Sequence, residues 1–263
     1  MKGGRAKTRS GVEIYYETHG SGPVTLLLLH GWGGTGATWN AVLPHLDGKR
    51  FRVLIPDLRG HGRSDHPADG YDWDTFAADV LAVADEAGAA RFVPVGFSFG
   101  GKLACCLAAK HPDRIPAQIL VAPVAPAGVA FDRDAGLLIC RQAGDWRNNQ
   151  RVFRPWFGPA APDEIVKDYC QFIAETPHDV LVATGEMSVW TSLESTIGLL
   201  ELPTLLVTGR HDPIYHTAYQ TEKMLPFLGA AQAVTLEGGH FLPLECPEEL
   251  SACIAQFMQV GGG

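Results

Sequence analysis

No apolar run in this chain approaches the length of a membrane span, so a transmembrane helix is not expected. No block of like charge stands out among its 21 basic and 29 acidic residues, which leave a formal net charge of −8. Nucleic acid and anionic membrane surfaces are therefore not expected partners. The basic opening, residues 1–9, is followed by no apolar stretch, and no signal peptide is expected. The six cysteines include no C-x-x-C pair. Cys105 and Cys106 are adjacent in an apolar helical run, which speaks against a zinc site or a disulfide framework. Buried free thiols in a reducing cytoplasm fit this pattern best. There is no H-x-x-x-H pair or His/Asp cluster, so no metal is expected. The Gly-rich loops are read as carrying no phosphate-binding P-loop, and no nucleotide or other cofactor is expected.

What is present is a chain of 263 residues, 46% hydrophobic and 19% charged, long enough for one full core with an insertion. Residues 12–18 alternate apolar and polar, as in a half-exposed strand near a sheet edge. Residues 24–29 and 51–55 are continuous apolar runs, as expected of strands covered on both faces. Residues 75–87 have helical spacing, with Phe76, Val80, Val83 and Ala84 on one face and Asp74 as the expected N-cap. A strand over 91–95 leads to a helix over 101–110, and 118–121 is another strand. From 124 to 200 no buried strand is evident. Short helical stretches there carry Trp146, Phe153, Trp156, Phe157, Tyr169, Phe172 and Trp190, aromatics that can pack on one another or touch a ligand. Strands resume at 204–207 and 233–236, a helix over 247–258 closes the chain, and the Gly261-Gly262-Gly263 tail is expected to be disordered. Alternating strands and helices predict a mostly parallel sheet with helices on both faces. The expected division is an α/β core over 1–123 and 201–263, with a helical lid over 124–200.

The chemistry gathers where these strands end, the edge at which open parallel sheets build sites. Gly96-Phe97-Ser98-Phe99-Gly100 reads G-x-S-x-G between a strand and a helix, the context of a strained turn that lifts a serine hydroxyl above the sheet. Gly96 and Gly100 leave room because neither carries a Cβ. A serine hydroxyl needs a base within hydrogen-bond reach, and the base needs a carboxylate to fix its tautomer. His240 follows the last strand in a Gly-Gly-His turn, and Asp212 follows the strand before it. Ser98, Asp212 and His240 are the expected catalytic residues. Glu237 is the nearby rival acid, expected to face solvent. The backbone N–H groups of Trp32, in His30-Gly31-Trp32, and of Phe99 can form an oxyanion hole. Of the other histidines, His19 and His45 are expected at the surface, His61 in a structural role, and His211 turned away from Asp212.

The chain resembles the α/β-hydrolase family over nearly its whole length. His30-Gly31-Trp32, Asp57-Leu58-Arg59-Gly60-His61-Gly62-Arg63-Ser64, the Ser98 turn, Gly209-Arg210-His211-Asp212 and Gly239-His240 each match a family motif in the family's order. Within the family, Gly70-Tyr71-Asp72-Trp73-Asp74-Thr75-Phe76-Ala77-Ala78-Asp79 is similar to the cofactor-free haloperoxidase and aryl-esterase branch, although Phe99 stands where that branch usually has Met. The resemblance implies an eight-stranded sheet and a serine hydrolase acting on a small-molecule ester, lactone or related acyl compound. The expected substrate pocket is Trp32, Phe99, Trp156, Trp190 and Phe241. A C–C bond hydrolase of a ring-cleavage product and a small-molecule receptor with a slow triad stay open as alternatives, because fold does not choose among them.

Overall fold

A computed structural model describes residues 2–128, 133–143 and 145–260; the Gly261–Gly263 tail and Asp132 lie outside the described residues. The strands are β1 (Lys2–Lys7), β2 (Glu13–Gly20), β3 (Val24–Leu29), β4 (Phe51–Pro56), β5 (Val93–Phe97), β6 (Gln118–Val121), β7 (Leu200–Gly209) and β8 (Leu228–Leu236). They form one eight-stranded sheet in the order β1-β2-β4-β3-β5-β6-β7-β8. The pairs β1/β2 and β2/β4 are antiparallel, and every other neighbouring pair is parallel. The helices are α1 (Trp73–Glu86), α2 (Phe99–Lys110), α3 (Arg133–Gln142), α4 (Trp146–Phe153), α5 (Asp163–Glu175), α6 (His178–Trp190), α7 (Glu194–Ile197), α8 (Thr217–Lys223), α9 (Leu242–Glu245) and α10 (Pro247–Val260).

The period-two geometry of a strand explains why the central strands are apolar throughout. Leu26 and Leu28 of β3 face a core that includes Trp39, Phe51, Phe97 and Ile254. Leu27 and Leu29 face the opposite core, with Phe76, Val80, Leu103 and Leu107 of α1 and α2. Full burial of each such side chain stabilises by roughly 1.5–3 kcal/mol. Between β6 and β7 the described chain is helical, α3 to α7, and its Phe153, Tyr169, Ile173 and Leu181 join the first core.

Two local expectations are corrected. Asp72, not Asp74, caps α1: its extended backbone lets Oδ1 accept from Thr75 N at 2.9 Å and Oδ2 from Thr75 Oγ1 at 2.7 Å. Asp74 sits one residue inside the helix and pairs with Lys110. The strand β1 precedes those expected from the sequence, because only Ala6 of its six residues is buried and no hydrophobic period exists. Its glycines lie against the tyrosines of β2. A Cβ on Gly3 would lie 2.6 Å from the Tyr15 hydroxyl, and one on Gly4 2.7 Å from Cζ of Tyr16.

Candidate active site

The turn after β5 places Ser98 at φ 53° and ψ −111°, a left-handed region that L residues rarely occupy. Such strain costs of order 1–3 kcal/mol and persists only where the surroundings hold it. Here Ser98 N donates to Val121 O at 2.9 Å, and Ser98 O accepts from Gly101 N at 2.9 Å and Val124 N at 3.2 Å. A Cβ on Gly96 would meet Gly100 O at 2.2 Å, and one on Gly100 would meet Leu29 O at 2.5 Å. Both glycines are therefore required by close backbone approach.

The structure brings Ser98, His240 and Asp212 together. His240 Nδ1 lies 2.7 Å from Asp212 Oδ2, and His240 Nε2 lies 3.0 Å from Ser98 Oγ. All three residues are buried. A carboxylate can only accept, so Nδ1 carries the proton and Nε2 is the acceptor that faces the serine hydroxyl. Asp212 Oδ1 accepts from Ile214 N at 3.0 Å and Tyr215 N at 2.8 Å. Burial pushes the Asp212 carboxyl up, but the His240 charge and hydrogen bond and the two backbone N–H groups outweigh it. The net effect holds the group below its ordinary value. Glu237 is exposed, pairs with Arg210, and lies 3.5 Å from His211 Nε2. It faces solvent, and His211 is turned towards it.

His30 and His61 shape the loops around the site. His30 Nδ1–H donates to Gly31 O at 2.8 Å and Nε2 accepts from Leu58 N at 2.9 Å, while His61 Nδ1–H donates to Arg59 O at 2.8 Å. Burial pushes His30 down and, with His30 beside it, takes His61 to about 3. Arg59 forms a bidentate pair with Asp79 of α1 at 2.8 and 2.9 Å, fixing the loop against the helix. His45 is exposed as expected, whereas His19 is half-buried and paired with Glu17 at 3.1 Å.

Trp32 is held by the helical segment. Its Nε1–H donates to Leu181 O at 3.0 Å, and its carbonyl accepts from the Tyr169 hydroxyl at 2.9 Å. Phe99 opens α2, so its N–H has no acceptor within the helix. A cavity of about 90 Å³ adjoins Ser98 and His240, and Trp32, Trp156, Trp190 and Phe241 line it. Phe99 does not. Its ring is 1% exposed, stacked at 5.0 Å on Trp73 and edge-on at 5.4 Å to Phe76, because the first turn of α2 directs it into the core beneath the sheet edge. Cys140, Gly185 and Tyr215 also line the cavity; no sequence spacing marks them. Among the described lining residues there is no Lys, Arg, Asp or Glu.

A second side chain escapes sequence reasoning. Gly96 to Lys102 has the G-x-x-x-x-G-K spacing of a P-loop, so the expectation that no loop carries such a lysine is corrected. Leu103 stands where Ser or Thr would bind magnesium. Lys102 is fully buried and donates to Ser188 O at 3.0 Å and Thr191 O at 2.6 Å, at the end of α6. It braces helix to helix and is not free to meet a phosphate. All six cysteines are free, five of them buried. Among the described residues, no cluster of metal ligands occurs, and no helix is long and apolar enough to cross a membrane.

The bifunctional esterase/perhydrolase DCH of Acinetobacter calcoaceticus is 26% identical over 97% of this chain and 99% of its own length. The non-heme chloroperoxidase of Streptomyces lividans is 34% identical over 49% of this chain and 48% of its own. The esterase EaEST of Exiguobacterium antarcticum, 22% identical, shares the fold with a TM-score of 0.88 over 98% of this chain and 100% of that one. A family model described as alpha/beta hydrolase fold matches residues 24–158, about half of the chain. With the eight-stranded sheet and the turn at Ser98, that match establishes that the chain belongs to the α/β hydrolase family.

Proposed function

We propose that the protein is a serine hydrolase that cleaves a small, neutral ester or lactone through an acyl-enzyme. The observation that carries this reading is the hydrogen-bonded chain from Ser98 Oγ through His240 to Asp212 at the wall of an apolar cavity. Ser98 Oγ attacks the acyl carbonyl carbon while His240 Nε2 takes the hydroxyl proton. Asp212 stabilises the imidazolium. The N–H groups of Trp32 and Phe99 hold the oxyanion. His240 then gives its proton to the leaving alkoxide, and the alcohol departs. A water, deprotonated by the same Nε2, attacks the acyl-enzyme carbonyl; the Ser98 Oγ–acyl bond breaks, His240 returns the proton to Oγ, and the carboxylic acid leaves. Residues 124–200 act as the lid over the 1–123 and 201–263 core, and the buried free thiols suit a reducing compartment such as the cytoplasm.

The relative named as an esterase and perhydrolase supports ester chemistry. The described lining residues carry no formal charge, which favours a neutral acyl group. The test is p-nitrophenyl acetate with the purified protein, together with a fluorophosphonate that labels activated serines. Steady turnover after a burst of one product per site, and label mapped to Ser98, are expected. A protein that binds such compounds without turnover or labelling is a receptor, and the reading fails.

A further inference from the structure

The Glu245 carboxylate ties the residues around His240 to the helical segment above the site. Its Oε2 accepts from Gly239 N at 3.0 Å and from Gly158 N at 2.6 Å, and its Oε1 accepts from Phe241 N at 3.0 Å. Gly239 and Phe241 are the two chain neighbours of His240. Gly158 lies beyond Trp156, whose carbonyl accepts from His240 N at 2.7 Å and whose ring stands edge-on to the imidazole at 5.5 Å. The backbone at 239–241 is thus held from one side by Glu245 and from the other by the 156–158 segment. The two stretches of chain approach so closely that a Cβ on Gly239 would lie 2.4 Å from Gly158 N.

We propose that Glu245 is a positioning residue, which sets the imidazole of His240 against Ser98 and Asp212 and makes that alignment depend on the 156–158 segment being seated. The chemistry selects a carboxylate. Three N–H donors converge on two oxygens, and only an ionised carboxyl accepts at both without presenting a hydrogen. A glutamine keeps one oxygen and turns an NH2 group towards at least one backbone N–H. A residual error on the scale of 1 Å at the base can cost a hundredfold in rate.

This inference rests on the serine-hydrolase reading, and the test separates the two. Glu245→Gln, Gly158→Ala and the control Glu237→Gln are compared with wild type for p-nitrophenyl acetate kinetics and for the rate of fluorophosphonate labelling. Gly158→Ala disturbs the same contact from the other side, because its Cβ would lie 3.0 Å from Glu245 Oε2. Glu245→Gln is expected to lower kcat by roughly 10- to 100-fold with KM within about threefold of wild type, and to slow labelling in the same proportion. Gly158→Ala is expected to do the same more weakly, and Glu237→Gln to change neither. Should Glu245→Gln fail to fold, Gly158→Ala carries the test. Wild-type labelling with both folded variants labelled at the wild-type rate overturns the role of Glu245 and leaves the serine-hydrolase reading intact. Wild type that is not labelled at Ser98 overturns both.

Discussion

Asp212→Asn separates the electrostatic role of this residue from its structural one. Asp212 Oδ1 receives two backbone N–H groups, from Ile214 and Tyr215, while Oδ2 faces His240. An asparagine must keep its oxygen towards the two N–H donors, because the alternative sets three N–H groups against each other. Its NH2 group then faces His240 Nδ1 and forces that nitrogen to accept. The imidazole proton moves to Nε2, which points at Ser98 and can no longer take the hydroxyl proton. Loss of the base in its working tautomer costs roughly 10³–10⁴-fold in kcat, or about 4–5.5 kcal/mol of barrier. Both backbone donors stay satisfied, so the melting temperature should hold. Asp212→Ala instead orphans two N–H groups at about 1–3 kcal/mol each and should lower stability as well as rate. The assay is steady-state hydrolysis of p-nitrophenyl acetate beside thermal unfolding of both variants. An Asp212→Asn protein that keeps more than a tenth of wild-type kcat refutes the assignment of the acid, and a dead Glu237→Gln would transfer it.

Ser98→Ala should keep the fold, since alanine meets the same backbone strain at φ 53°, and should lose roughly 10⁴-fold or more in kcat; more than a tenth of the activity in purified variant excludes Ser98 as nucleophile. Activity should survive dialysis against EDTA; chelator sensitivity would contradict the mechanism. Burial lowers Lys102 from its ordinary 10.5 to about 8. Between these values the unfolded chain holds a proton that the folded chain has released, so this residue makes stability rise with pH across that window, by roughly 3 kcal/mol in full. Urea unfolding at pH 8 and pH 10 should show that rise in wild type relative to Lys102→Met; an unchanged difference between the two proteins would refute it.

The parts of the fold written in local chemistry are legible in the order of residues alone. The turn at Ser98 announces itself because two glycines and a serine must sit between a strand and a helix at fixed spacing. Asp212 and His240 follow because each ends a strand that the alternation of strands and helices locates. The parts that depend on distant neighbours are not legible. The strand β1 has no apolar period, and its pairing depends on the tyrosines of β2 that its glycines admit. Asp72 and Asp74 are both plausible caps in sequence, and only the backbone angle at Asp72 chooses between them. Phe99 lies next to Ser98 in sequence, yet its ring points away from the cavity, since adjacent helical residues diverge by about 100°. The spacing around Lys102 suggests a phosphate loop rather than a brace, and nothing local marks Glu245, because their partners lie 86 to 89 residues and up to 87 residues away.

The contact between Lys102 and the end of α6 restricts which motions can admit a substrate. Leu181 of the same helix holds the Trp32 indole, so α6 is fastened near both ends to residues that flank Ser98. Lifting α6 away breaks the two Lys102 hydrogen bonds and the Trp32 hydrogen bond together, at a cost of several kcal/mol. At about 4 kcal/mol the detached form is populated roughly once in a thousand molecules. The helix is therefore held to α2 in nearly all molecules. Another part of the cavity wall is built by Gly136, Ile139 and Cys140 of α3, which are small or apolar.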